Sequence, residues 1–188
     1  MPTPKRSPAR RAPGARKPKK KVVVAVSGGF DPIHIGHVRM FEEAKALGDE
    51  LVVILNNDHW LAAKKGYAFM PAAERKEVIQ ALRAVDRVVI TKHRPDDPDR
   101  SVCAALREVR PDIFANGGDR KLDNVPEVPV CEEIGCRMVF GIGRGGKVQS
   151  SSWLLAKHAE RNGGKAGERA ARRVRSGTRR RNGKIKKS

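Results

Sequence analysis

Five short runs rich in β-branched residues alternate with helical patterns, and this alternation predicts an α/β domain with a mostly parallel, five-stranded sheet between two layers of helices. Two further observations support that class. The glycine-containing segment Ser27–Gly36 follows the first run directly, as a strand-to-helix turn does, and the basic excess of the chain lies outside the alternating region. With 188 residues the chain can bury one good core, and a second domain is not expected.

Strands are expected at Val22–Val26, Leu51–Leu55, Arg87–Thr91, Asp112–Ala115 and Arg137–Phe140, each of the length of a buried strand. Helices are expected at Gly36–Leu47, Ala72–Val85, Arg100–Val109, Val128–Ile134 and Ser151–Arg161. Gly48 follows the first helix as a C-cap, and Pro71 sits where a first-turn proline is tolerated. Ile79, Leu82 and Val85 mark one helix face. In sheets of this kind ligands bind beyond the carboxyl ends of the strands.

A formal net charge of +19 resembles that of a nucleic-acid binder until the charge is located. Residues 1–21 contribute +9, residues 157–188 contribute +11, and residues 22–156 balance at −1. The Pro, Lys and Arg-rich residues 1–20 and the Gly and Arg-rich residues 162–188 cannot bury enough apolar surface to offset chain entropy. Both are read as disordered basic tails around a domain spanning 21–161. Arg169–Arg175 could become helical on a polyanion. Cys103, Cys131 and Cys136 are odd in number and form no CxxC pair, which fits small buried thiols in a reducing cytoplasm and no protein-held metal. No apolar run approaches the roughly 18 residues that span a bilayer. The amino end has no secretory core, and prolines at 2, 4, 8, 13 and 18 spoil an amphipathic presequence. Cytoplasmic placement is the expectation.

Residues 27–37 read Ser-Gly-Gly-Phe-Asp-Pro-Ile-His-Ile-Gly-His. Gly28 and Gly29 allow a sharp turn and a close approach of backbone to ligand. Free amides at the start of the next helix, together with its dipole, form an anion site. His34 and His37, three apart, can lie on one side of the helix entrance, and Gly36 between them leaves room for a phosphate or base. No third ligand accompanies the two histidines, so the pattern favours an anion over a metal.

Gly29-Phe30-Asp31-Pro32-Ile33-His34-Ile35-Gly36-His37 resembles the GxFDxxHxGH signature of the cytidylyltransferase-like nucleotidyltransferase superfamily. Further stretches share the resemblance across most of residues 22–156. His37–Asp49 is similar to the first helix of heptose-phosphate adenylyltransferases and glycerol-phosphate cytidylyltransferases. Lys64-Lys65-Gly66 resembles the lysine loop after the second strand, Glu74-Arg75 the arginine position, Asn116-Gly117-Gly118-Asp119 the base-side loop, and Ser150-Ser151-Ser152 the serine-threonine motif before the last helix.

The resemblance implies a Rossmann-like three-layer sandwich and an in-line transfer. A phosphate oxygen of a sugar- or alcohol-phosphate attacks the α-phosphorus of ATP or CTP, and pyrophosphate leaves with Mg²⁺ carried by the triphosphate. His34 and His37 would donate to the α- and β-phosphates. Lys65, with Lys64 as understudy, would neutralise charge, and Arg75, oriented by Glu74, would bridge acceptor or triphosphate. Gly28, Gly29, Phe30, Asp31 and Gly36 would shape the nucleotide turn. Asn116, Gly117, Gly118 and Asp119 would serve base and ribose, and Ser150, Ser151 and Ser152, with Arg144 and Lys147 before them, the β- and γ-phosphates. Arg120 departs from the aromatic residue common after that aspartate. Trp60 and Tyr67 flank the lysine loop and fit either an acceptor pocket or the core. A homodimer is expected from the same resemblance. The rival reading is a nucleic-acid- or ribosome-associated binding protein built on this fold, contacting polyanions through its tails.

Overall fold

The computed structural model describes residues 20–117 and 125–143, together with Ser151, Leu154 and Lys157. In chain order the elements are β1 (Val23–Gly28), α1 (Ile35–Lys45), β2 (Glu50–Leu55), α2 (Asp58–Lys65), α3 (Ala72–Gln80), β3 (Arg87–Ile90), α4 (Cys103–Val109), β4 (Ile113–Gly117), α5 (Val128–Ile134) and β5 (Arg137–Ile142). The strands form one sheet in the order β3-β2-β1-β4-β5. Every pairing is parallel, with Val24 beside Leu51 on one flank and beside Ile113 on the other. The strand order therefore reverses between β1 and β4, which opens a crevice at their carboxyl ends.

Alternation along the strands builds two cores. Val24, Val26, Leu51, Val53 and Leu55 pack with Phe41 of α1 and Ile79 of α3 on one face. Ala25, Ile54 and Phe114 pack with Leu106 of α4 and Val130 and Cys131 of α5 on the other. This is the sandwich expected from the sequence, with a sheet that is wholly parallel. The three cysteines carry no disulfide; Cys131 and Cys136 are buried and Cys103 is half-buried. Burial pushes the Cys136 thiol up to about 12.

Several boundaries differ from expectation. Helix α1 ends at Lys45 with Ala46 as its C-cap. Gly48 instead serves close packing, since a Cβ there would lie 2.7 Å from the Val22 carbonyl oxygen. Helix α3 ends at Gln80, yet Leu82 and Val85 beyond it still pack into the core. Pro71 is the N-cap of α3, one position before the first turn. Helix α4 starts at Cys103, three residues later than expected, because Asp97 and Asp99 accept the amides of Asp99 and Ser101 and hold that approach as a turn. Helix α2 was not foreseen: Asn57 caps it by accepting the Trp60 amide, and left-handed Gly66 (φ 86°) ends it.

At the amino ends of the strands, three aspartates hold main-chain amides. Asp49 accepts from Val22, Asp86 from Leu51 and Asp112 from Val23. Lys45 pairs with Asp86 and Lys20 with Asp112. The tails expected at 1–20 and 162–188 lie, apart from Lys20, outside the described residues.

Candidate active site

The segment between β1 and α1 lies at the switch point. Its backbone turns through Phe30, which holds the left-handed conformation (φ 47°), while Gly28 and Gly29 keep ordinary dihedrals. The glycines instead make room for neighbouring side chains. A Cβ on Gly28 would meet the Phe30 ring at 2.8 Å, and one on Gly29 would meet Leu61 at 2.7 Å. A Cβ on Gly36 would press on the His34 imidazole at 3.1 Å, so the space beside this glycine holds His34 itself.

The two imidazoles come together as their spacing predicts. Their rings stack with centroids 3.7 Å apart, at the first turn of α1, and His37 meets the edge of Phe30 at 4.9 Å. The His34 amide donates to Nδ1 of His37 at 3.3 Å, so a neutral His37 carries its proton on Nε2. Burial lowers the pKa of both rings; for His37, burial first and the adjacent His34 second bring it to about 3. Both are neutral near pH 7 and poised as hydrogen-bond donors. Nδ1 of His34 is buried with no partner among the described residues.

Asp31 and Lys65 form the second part of the site. The carboxylate of Asp31 is buried and accepts the amides of Phe69 and Met70, and Lys65 reaches it at 2.8 Å. Burial pushes this carboxyl upward, but the Lys65 ammonium and the two amides outweigh it and hold the pKa below the usual value. Asp31 thereby ties the residues after α2 to the turn, rather than standing open to a ligand. Lys64 and Lys65 lie in the last turn of α2, not in a loop. Nζ of Lys65 lies 5.2 Å from the centre of the Tyr67 ring, and Lys64 sits over Trp60 at 4.6 Å.

Arg75 occupies a different place from the one its sequence context predicts. Its side chain is 1% exposed and donates to the carbonyls of Met70, Gly29 and Asn56 and to the Asp58 carboxylate. Nε and both terminal nitrogens are engaged, so the guanidinium braces the turn, the end of β2 and the start of α2 and α3 from within. Its carboxylate partner is Asp58, not Glu74. Both Asp58 and Asn56 were missed from the sequence. Asn56 is buried with its Oδ1 unpartnered among the described residues, close behind the turn through its amide bond to Gly28.

On the other side of the switch point, Asn116 is buried and Gly117 closes β4 against Met40, whose sulfur would lie 2.8 Å from a Cβ there. The hydroxyl of Ser151, in a helical residue, donates to the Pro32 carbonyl at 2.8 Å and so brings the start of the last helix to the turn. Gly118, Asp119, Arg120, Arg144, Lys147, Ser150 and Ser152 lie outside the described residues. A cavity of about 110 Å³ lies away from the turn, between Thr91–His93 at the end of β3 and Ser101–Glu108 around α4. It is too small for a nucleoside triphosphate, whose pockets run to roughly 300 Å³ or more.

A parallel sheet whose switch point holds a stacked HxGH histidine pair defines an α/β nucleotidyltransferase. More particularly, the chain belongs to the cytidylyltransferase-like family, whose model matches residues 25–139. A FAD synthase of Pyrococcus horikoshii is 41% identical over 116 residues, which are 61% of this chain and 70% of that protein. Bifunctional protein HldE of Streptomyces coelicolor is 39% identical over 140 residues, covering 73% of this chain and 28% of the larger relative. Among solved structures, a lipopolysaccharide core biosynthesis protein from Thermoplasma volcanium superposes with a TM-score of 0.54 at 29% identity, over 66% of this chain and 98% of that one.

Proposed function

We propose that this chain transfers a nucleotidyl group, AMP in preference to CMP, from a nucleoside triphosphate to a small phosphorylated metabolite and releases pyrophosphate. The observation that carries the reading is the pair of neutral, stacked imidazoles at the entrance of α1, with Lys65 held against the same turn. A triphosphate seated there meets Nε2–H of His37, the first amides of α1 and an ammonium. Together these stabilise charge on the transferring phosphoryl oxygens.

The acceptor phosphate is already ionised near neutral pH, so it attacks without a protein base, and catalysis consists of positioning and charge stabilisation. Lys65 leaves Asp31 for the more highly charged polyphosphate. Arg75 acts as a positioning residue, fixing the carbonyls of Gly29 and Asn56 so that the turn keeps its shape. Ser151 and its neighbours Ser150 and Ser152 attend the distal phosphates, while Asn116, Gly117, Gly118 and Asp119 attend base and ribose. Mg²⁺ arrives on the triphosphate, because Asp31, the carboxylate of the turn, is already committed to Lys65 and two amides. A relative named FAD synthase supports ATP as the donor. The acceptor is a sugar- or alcohol-phosphate in the broad sense, and the names FAD synthase and HldE do not choose between kinds. A cytoplasmic homodimer whose tails touch polyanions completes the proposal.

The test is a pyrophosphate-release screen that crosses ATP, CTP, GTP and UTP with a panel of phosphorylated metabolites. Release is expected with ATP and at least one acceptor. Folded protein that releases none with any pair, and binds no triphosphate, overturns the reading.

A further inference from the structure

We infer that Tyr67 and Phe69 form an aromatic face that selects an acceptor carrying a planar ring system beside its phosphate; this rests on the nucleotidyltransferase reading of the same site. The chain is poor in aromatic residues, at 4%, and has one tyrosine. Phe30, Phe41, Trp60 and Phe114 are all buried, as such side chains usually are. Tyr67 and Phe69 are instead 49% and 55% exposed, two residues apart on the short connection between α2 and α3.

That connection is held in place. Both oxygens of the Asp31 carboxylate receive its amides at Phe69 and Met70, and Arg75 holds the Met70 carbonyl. Two exposed rings on a braced backbone lose little freedom when a ligand docks, which favours binding. The ammonium of Lys65 lies 5.2 Å from the centre of the Tyr67 ring. A phosphate group and an aromatic face thus find partners side by side.

The chemistry of the segment selects further. Gly66-Tyr67-Ala68-Phe69-Met70 offers one hydroxyl and no charged or amide side chain. A polyhydroxylated sugar resting there would leave most of its hydroxyls without partners from these side chains, and lost hydrogen bonds discriminate strongly. A heteroaromatic ring stacks on the same surface at no such cost. The acceptor class is therefore a phosphomonoester of an alcohol that bears a flat heteroaromatic system, for which flavin mononucleotide is the probe. Its phosphate oxygen forms a bond to the α-phosphorus of ATP, the bond from that phosphorus to the bridging oxygen breaks, and pyrophosphate leaves with the electron pair. No oxidant or reductant takes part.

The full chain is titrated with flavin mononucleotide without ATP while flavin fluorescence is followed, and then assayed for pyrophosphate release. Saturable quenching is expected, weakened about tenfold or more in the double variant Tyr67→Ala, Phe69→Ala and largely restored in Tyr67→Phe with Phe69 kept. The KM for the flavin should rise by a similar factor while the KM for ATP stays within about twofold, with unfolding curves unchanged. Pyrophosphate release with a sugar phosphate but no flavin binding overturns this inference and leaves the proposed function standing. Flavin quenching lost in the double variant, without release from any acceptor, does the reverse. If the double variant turns a dimer into a monomer and leaves flavin binding unchanged, the rings belong to a subunit interface and the inference falls.

Discussion

The two ends of the sheet treat their polar groups in opposite ways. At the amino ends, Asp49, Asp86 and Asp112 each accept the amide of a residue at the start of a neighbouring strand, and two of them are paired with lysines. At the carboxyl ends, Nδ1 of His34 and Oδ1 of Asn56 are buried and unpartnered among the described residues, and two aromatic rings face outward. An unmet buried polar atom costs on the order of 1–3 kcal/mol, so a fold keeps one only where something else is gained. One end closes the sheet; the other holds atoms in readiness for a ligand. Variants at the two ends should therefore fail differently.

Arg75 gives the largest expected effect because it breaks that division. Arg75→Met keeps the volume but leaves three carbonyls and the Asp58 carboxylate without their donor. A loss of about 3–5 kcal/mol in urea unfolding is expected, in the range for removing one partner of a buried ion pair. Nucleotidyl transfer should fall with it, and should not recover when stability is restored by low temperature, since the turn has lost its brace. A variant as stable as the parent would show that the guanidinium does not support the site.

His37→Ala should separate function from stability. Loss of a transition-state donor commonly lowers kcat by about 10²–10³. The melting temperature should change little, because His37 is only partly buried and its Nδ1 accepts a single long hydrogen bond. A fall in kcat of less than about tenfold would remove His37 from the reaction and would make the carboxyl end of the sheet more like the amino end.

How much of this division could be read from the sequence depends on how local its causes are. The HxGH spacing alone places two imidazoles on one side of a helix entrance, and the rings do stack there. The strand pattern likewise located every strand to within two residues at each end. Helix α2 escaped notice because it is eight residues long and buries only Trp60 and Leu61, too few for a periodic signal. Its end signals were present, in Asn57 before it and Gly66 after it. Arg75 could not be read correctly. A charged residue beside Glu74 is ordinarily solvated, and the acceptors that bury it, at Gly29, Asn56 and Met70, are main-chain carbonyls brought there by the fold. Trp60 and Tyr67 looked alike as flanking aromatics. The fold separates them, burying Trp60 with its indole N–H on the Arg100 carbonyl and leaving Tyr67 beside Lys65.

The next effect in size is the response to acid, which also distinguishes the two ends. His37 has a pKa near 3 when folded and an ordinary value of 6.5 when unfolded, so below 6.5 the unfolded chain takes up the proton first. Its contribution to stability is complete above pH 6.5 and is lost as pH falls toward 3. Asp31, Asp86 and Asp112 are held below 3.8, so their contributions are present above that value and fade only under it. Between pH 6.5 and 4.5 the imidazole therefore dominates, and a drop of about 2 kcal/mol, or roughly 4–8 °C in melting temperature, is expected. His37→Asn keeps an acceptor for the His34 amide and should flatten that part of the profile. An equal acid response in the variant would place the titration elsewhere.

The smallest effect belongs to the amino end. Asp112 is held below the ordinary carboxylate range by Lys20 first and the Val23 amide second. The lysine is nearly fully exposed, so the ion pair itself contributes little, whereas the bond to the amide that opens β1 is partly buried. Asp112→Asn retains an oxygen for that amide and should cost at most about 0.5 kcal/mol, with a weak dependence on salt. Asp112→Ala removes the acceptor and should cost about 1 kcal/mol that salt does not screen. Neither should alter kcat or KM, because the residue lies at the end of the sheet opposite the turn. A change in turnover with either variant would show that the two ends are coupled through β1 and β4, and the separation drawn between them would not hold.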